Sequence, residues 1–203
     1  MKRFAFVATA IALAVLTGPA DASNWMRVAE LAVAEVGDRP SSVNHQGSIE
    51  YGFSPGEGAE KLVLKVIGAA RTEIRMMTYS LTSVPVVEAL IAARHRGVDV
   101  AIVSDFKSNV TGDSSGKARA ALSALVNAGC RVRVIKAFAI HHDKVLVVDK
   151  ETVETGSFNF SGSAATRNSE NVMVVWRNQD LARGYLAHWQ DRFNQGADYM
   201  TNY

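Results

Sequence analysis

From Ser48 onward, apolar residues fall alternately into short runs of strand character and longer stretches of helical period. Strands are predicted over 49–53, 73–79, 98–104, 131–135, 144–148, 152–157 and 170–176, and helices over 58–70, 83–96, 114–128 and 180–193. Leu62, Val63, Val66 and Ile67 make one stripe of the first helix. Ser83 suits the N-cap of the second, with Pro85 in its first turn and Gly97 at its C-terminal end. Lys107 to Gly116 reads as a flexible loop and Phe158 to Thr166 as a polar turn. Strands alternating with helices of this length imply an α/β fold, a layered mixed β-sheet with helices on both faces. No segment repeats and no low-complexity tract occurs.

Upstream the pattern changes. Met1-Lys2-Arg3 is followed by a run from Phe4 to Leu16 that is apolar but for Thr9, and by Ala20-Asp21-Ala22, the three parts of a secretory leader with a small-x-small cleavage site. The run is 13 residues, short for a bilayer span, which disfavours an uncleaved anchor. The expected organisation is a signal peptide (1–22), an N-terminal arm and linker (23–47) with a helix over 24–36, and a catalytic domain (48–203). Export to the periplasm or the medium follows, with no stable membrane insertion after cleavage.

Composition narrows the partners. An apolar content of 48% with 21% charge excludes long disorder. Removal of residues 1–22 leaves 20 basic and 19 acidic side chains, so any basic surface must be local. Cys130 is the only cysteine, hence no internal disulfide. It reads as a small buried hydrophobe rather than a reactive thiol or an intermolecular bridge.

The chemistry gathers between His142 and Asn171. His142 and Lys144 are two apart, so an extended strand points both to one face, with Asp143 opposite. Ser157 and Asn159 repeat the device beside Gly156, a residue that permits close backbone approach. If the two strands are neighbours, an imidazole, an ammonium, a hydroxyl and an amide converge, a set suited to a tetrahedral phosphate. No metal or cofactor is expected: there is no Cys-x2-Cys, no His-Glu-x2-His and no phosphate-cradling Gly-x4-Gly-Lys, and Asp105 and Asp113 are too sparse for a metal site.

His142-x-Lys144-x4-Asp149-x6-Gly156-Ser157-x-Asn159 resembles the signature of the phospholipase D superfamily without a gap. Arg75 to Ser80, Arg96 to Val100 and His188 to Gly196 are similar to the small, single-motif bacterial endonuclease branch, and the likeness runs from about Ile49 to the C-terminus. The resemblance implies a phospholipase D-like domain in which His142 attacks phosphorus and becomes phosphorylated. Lys144 and Asn159 would hold the non-bridging oxygens, Ser157 would support them, and Glu170 would accept the second ring N–H of His142. Asp149 and Gly156 read as structural. His141 is assigned no chemistry, and His45, His95 and His188 read as surface or packing residues.

The leaving oxygen needs an acid opposite the nucleophile, and one imidazole cannot stand in both places. Larger relatives carry the motif twice; one His-x-Lys per chain therefore predicts a homodimer sharing one active site across a two-fold axis. The substrate expected from the resemblance is DNA, with RNA as a further candidate, and Lys107, Lys117, Arg119, Lys136 and Arg167 are candidate backbone-binding residues. Two alternatives stand beside it: a lipid phosphodiesterase acting on a substrate such as cardiolipin, and an inactive member that binds nucleic acid. The complete set of motif residues argues against the second.

Overall fold

Runs rich in Val, Ile and Met supply the strands of one sheet, and the amphipathic segments between them supply its covering helices. The computed structural model describes residues 47–56 and 58–201, all within the unit spanning 43–203. The expected leader, and the arm with its helix as far as residue 46, lie outside the described residues. In chain order come β1 (Ile49–Ser54), α1 (Gly58–Ala69), β2 (Glu73–Thr78), α2 (Val84–His95), β3 (Asp99–Asp105), a π-helical turn (Lys107–Thr111), α3 (Lys117–Asn127), β4 (Arg131–Ile135), β5 (Lys144–Val148), β6 (Thr152–Gly156), α4 (Gly162–Thr166), β7 (Glu170–Val175), α5 (Gln179–Gln195) and β8 (Ala197–Asp198).

The eight strands form one mixed sheet in the order β1-β7-β6-β5-β2-β3-β4-β8. β2, β3 and β4 run parallel, linked by the helical crossovers α2 and α3, while β5, β6, β7 and β1 continue antiparallel. Alternation along each strand divides the core into two layers. Ile102, Met76, Leu146 and Val174 face the larger cluster, which holds Val63, Val66 and Ile67 of α1, Leu90 of α2 and Leu122 of α3. Met77, Val103, Val145 and Val147 face the other, closed by Trp189 and Phe193 of α5. These two rings stack at 4.6 Å, and the Trp189 indole N–H donates to the carbonyl of Met76 at 3.1 Å.

The helix caps follow the local chemistry. Ser83 accepts from the Val86 N–H, and Gly97 sits at φ 90°, a conformation costly for any side chain with a Cβ. Four elements differ from expectation, one being the short edge strand β8, which pairs antiparallel with β4 beyond the last predicted strand. α3 starts at Lys117 because Gly116 is left-handed and Asp113 gathers the Ser115 hydroxyl and the Arg119 N–H. The loop after β3 is a π-helical turn, pinned by Asn109: its amide donates to the carbonyls of Tyr79 (2.6 Å) and Asp105 (2.9 Å) and accepts from the Leu81 N–H (3.0 Å). The supposed polar turn contains α4, capped by Ser161. Cys130 is buried in the larger cluster, which pushes its thiol up to about 11. Glu154 is wholly buried between Leu146 and Val174, and burial outweighs the opposing backbone N–H of Leu146 and raises it to about 8.

Candidate active site

The antiparallel register of β2 and β5 sets Thr78 opposite Lys144, so the residues just beyond β2 meet those just before β5. Tyr79 and His142 come together there, their rings edge to face with centroids 4.8 Å apart. His142 is exposed, whereas Lys144 is 6% exposed. The Lys144 ammonium donates to the carbonyl of His142 at 2.9 Å and lies 5.5 Å from the Tyr79 ring centre. Burial pulls its pKa below the ordinary lysine value, while the Glu170 and Asp143 carboxylates act in the opposite direction.

The other half of the site comes from the end of β6 and the start of β7. Ser157 is tied to β7 twice: its N–H donates to the carbonyl of Asn171 at 3.1 Å, and its hydroxyl accepts from the Asn171 N–H at 3.1 Å. The same hydroxyl donates to Glu170 Oε2 at 2.6 Å, and the Asn168 amide donates to Oε1 at 2.9 Å. Glycine is required at 156 because a Cβ there would stand 2.1 Å from the carbonyl oxygen of Asn171. Asn159 follows, its side-chain carbonyl oxygen buried and without a partner.

At the far end of β5, Asp149 accepts the N–H groups of Arg71, Thr72 and Glu73 and the Thr72 hydroxyl, at 2.8 to 3.0 Å. Burial acts to raise its pKa, but these donors outweigh burial and hold the carboxyl below its usual value.

Two expectations need correction. His142 precedes β5 instead of lying in it, so strand alternation does not orient its ring. The hydrogen bond expected between Glu170 and the His142 ring is not made: the Glu170 oxygens accept from Ser157 and Asn168, and the His142 ring packs on Tyr79. Sequence reasoning also passed over a cluster beside His142. One oxygen of Asp143 lies 3.2 Å from His188 Nε2 on α5 and 3.3 Å from His141 Nδ1. His141, read as inert, is 3% exposed and its N–H donates to Asp105 at 2.9 Å. Burial lowers its pKa against the pull of Asp143 and Asp105. His188, read as a surface or packing residue, is 45 positions from Asp143, and only the docking of α5 onto the sheet joins them.

The five candidate backbone-binding residues are all exposed. Arg119 and Lys136 line one groove, Lys107 opens the π-helical turn, Lys117 opens α3 and Arg167 closes α4. Among the described residues no group of three His, Cys, Asp or Glu side chains could hold a metal ion, and no helix is long and apolar enough to cross a membrane. An exposed imidazole beside a nearly buried ammonium is chemically equipped to receive a phosphate diester.

Residues 63–195 match the family model described as cardiolipin synthase, PLD-like domain. The chain is 38% identical over 140 residues to a phospholipase D of Rickettsia conorii, covering 69% of this chain and 66% of that protein. It is 27% identical over 144 residues to the human mitochondrial cardiolipin hydrolase, covering 71% of this chain and 54% of the relative. It therefore spans at most about two thirds of the length of these curated relatives. Among solved structures, the phospholipase D family member Nuc from Salmonella typhimurium superposes with a TM-score of 0.73 at 48% identity, covering 76% of this chain and 99% of that one.

Proposed function

Because the chain belongs to the phospholipase D superfamily of phosphodiesterases, we propose that it is an exported, metal-independent endonuclease hydrolysing DNA, and RNA as a further substrate, through a phosphohistidine. The carrying observation is the asymmetry at the mouth of the β5–β6 hairpin. His142 is exposed there, beside Lys144, whose ammonium is held nearly buried.

In this reading the His142 imidazole attacks phosphorus and the P–O bond to the leaving alcohol breaks. The proton for that oxygen comes from His142 of a second copy, in a homodimer with one shared site. Water then attacks phosphorus, the P–N bond breaks, and the proton from water returns to the second imidazole. Lys144 and Asn159 bear the non-bridging oxygens, Ser157 supports them, and Glu170, held by Ser157 and Asn168, fixes the wall of the site. The five exposed cations support a polyanionic substrate.

A lipid phosphodiester is the second reading. Phe138 and Ile140, 39% and 54% exposed, form an apolar tip just before His142, as an enzyme working at a lipid surface would need. Incubation of the mature protein with plasmid DNA, RNA and labelled phospholipid, each with and without EDTA, separates the readings. Nucleic-acid cleavage that survives EDTA and is lost in His142→Ala supports the nuclease. Turnover of lipid alone moves the assignment to the second reading, and no turnover of any substrate defeats both.

A further inference from the structure

A groove of about 780 Å³ lies between α3, the end of β4 and the segment after β8. Its wall carries two aromatic rings, Phe106 and Tyr199, among small and apolar residues such as Ala120, Ala124 and Val134. Two cations border it. The Lys136 ammonium stands 3.8 Å from the centre of the Phe106 ring, and the Arg119 guanidinium is held at the rim by the carbonyls of Val110 (3.0 Å) and Asp113 (2.7 Å). The acidic lining residue, Asp198, is paired with Arg133 at 2.7 Å, so the lining is net positive.

Two lining residues are chain neighbours of residues at the site. Phe106 follows Asp105, whose carboxylate holds the N–H of His141, and Lys136 begins the segment that ends at His142. Rings interleaved with cations form the combination that binds unpaired nucleotides: cations follow the phosphates, and rings stack on bases exposed only when unpaired. A duplex offers its phosphates but keeps its bases stacked inside, out of reach of rings recessed in a groove.

We propose that this groove binds the unpaired strand next to the scissile phosphate and makes single-stranded nucleic acid the preferred substrate over duplex; the inference rests on the nuclease reading above. The test uses the full mature chain with three substrates: bis(p-nitrophenyl) phosphate, a single-stranded 20-mer, and the same 20-mer as a duplex. Ala120→Trp obstructs the groove from an exposed helix position, and Lys136→Glu reverses one of its charges. Circular dichroism confirms folding of both.

Wild type is expected to cleave the single strand at least about fivefold faster than the duplex, as loss of one stacked base would give. Each variant is expected to lose at least about fivefold in kcat/KM on the single strand, and Ala120→Trp is expected to stay within about twofold of wild type on the small diester. Unchanged single-strand cleavage in both variants overturns the inference, as does an equal fall on the small diester in Ala120→Trp. A change in molecular mass by light scattering in Ala120→Trp also overturns it, because the groove would then seat another copy of the chain. Wild-type cleavage of the small diester with neither polynucleotide touched removes the nuclease reading itself, an outcome distinct from failure of the groove alone.

Discussion

The two ends of the β5–β6 hairpin carry polar residues from the same motif and treat them in opposite ways. At the closed end Asp149 is saturated, with four donors from the segment between α1 and β2 around one carboxylate. At the open end the His142 ring makes an aromatic contact and is otherwise exposed, and the Asn159 carbonyl oxygen has no partner. The motif residue at the closed end is held by the fold; those at the open end are, in the proposed function, the ones that meet the substrate.

The largest effect that could break this comparison is on rate. His142→Ala is expected to lower kcat on a diester substrate by about 10⁴-fold or more, with the melting temperature unchanged within about 2 °C, because the ring is exposed. A comparable loss of stability would place His142 with Asp149 as a structural residue.

Glu154 comes next, midway along the same hairpin. Its folded pKa of about 8 lies above the value of about 4.5 expected when unfolded, so the folded state binds the extra proton between them. Its contribution to stability is complete below about pH 4.5 and fades at about 1.4 kcal/mol per pH unit until about pH 8. In Glu154→Gln this loss is expected to vanish, leaving a flatter profile of unfolding free energy between pH 5 and 8. Parallel profiles for the two proteins in chemical denaturation would refute the assignment.

Asp149→Ala should cost about 2 kcal/mol in denaturant unfolding, a value reduced for partial exposure, while the folded fraction keeps kcat within about threefold. Asp149→Asn, which tolerates the φ of 53° and keeps one acceptor oxygen, should cost less. The smallest effect sharpens the open end. His188→Ala removes the α5 anchor of Asp143, next to His142, and should lower kcat about tenfold with KM little changed. His188→Gln, still able to donate to Asp143, should recover most of it.

Much of this was legible in the sequence. Val and Ile runs bounded by Gly and charged residues marked β4 and β5 to the residue, because strand ends coincide with local changes of polarity. The motif spacing gave the register of the hairpin mouth, since Lys144 and Ser157 fall at the ends of adjacent strands. What escaped depends on contacts between distant elements. The π-helical turn is held by Asn109 reaching Tyr79 and Leu81, about 30 positions away. Likewise Asp143 meets His188 only after α5 docks. The partners of Glu170 were misassigned for a related reason. Ser157 and Asn168 reach its carboxylate first, a competition that spacing cannot rank.

The central claim is that the open end performs covalent chemistry through one imidazole. Rapid acid-free quenching of the protein during turnover of a 5′-labelled oligonucleotide, followed by peptide mass spectrometry, tests it directly. The account predicts an acid-labile nucleotidyl adduct confined to the peptide containing His142, on the His142 ring, and absent from His142→Ala. Turnover that leaves no adduct under conditions where the first step outruns the second, or an adduct on His141 or His188 instead, would contradict it.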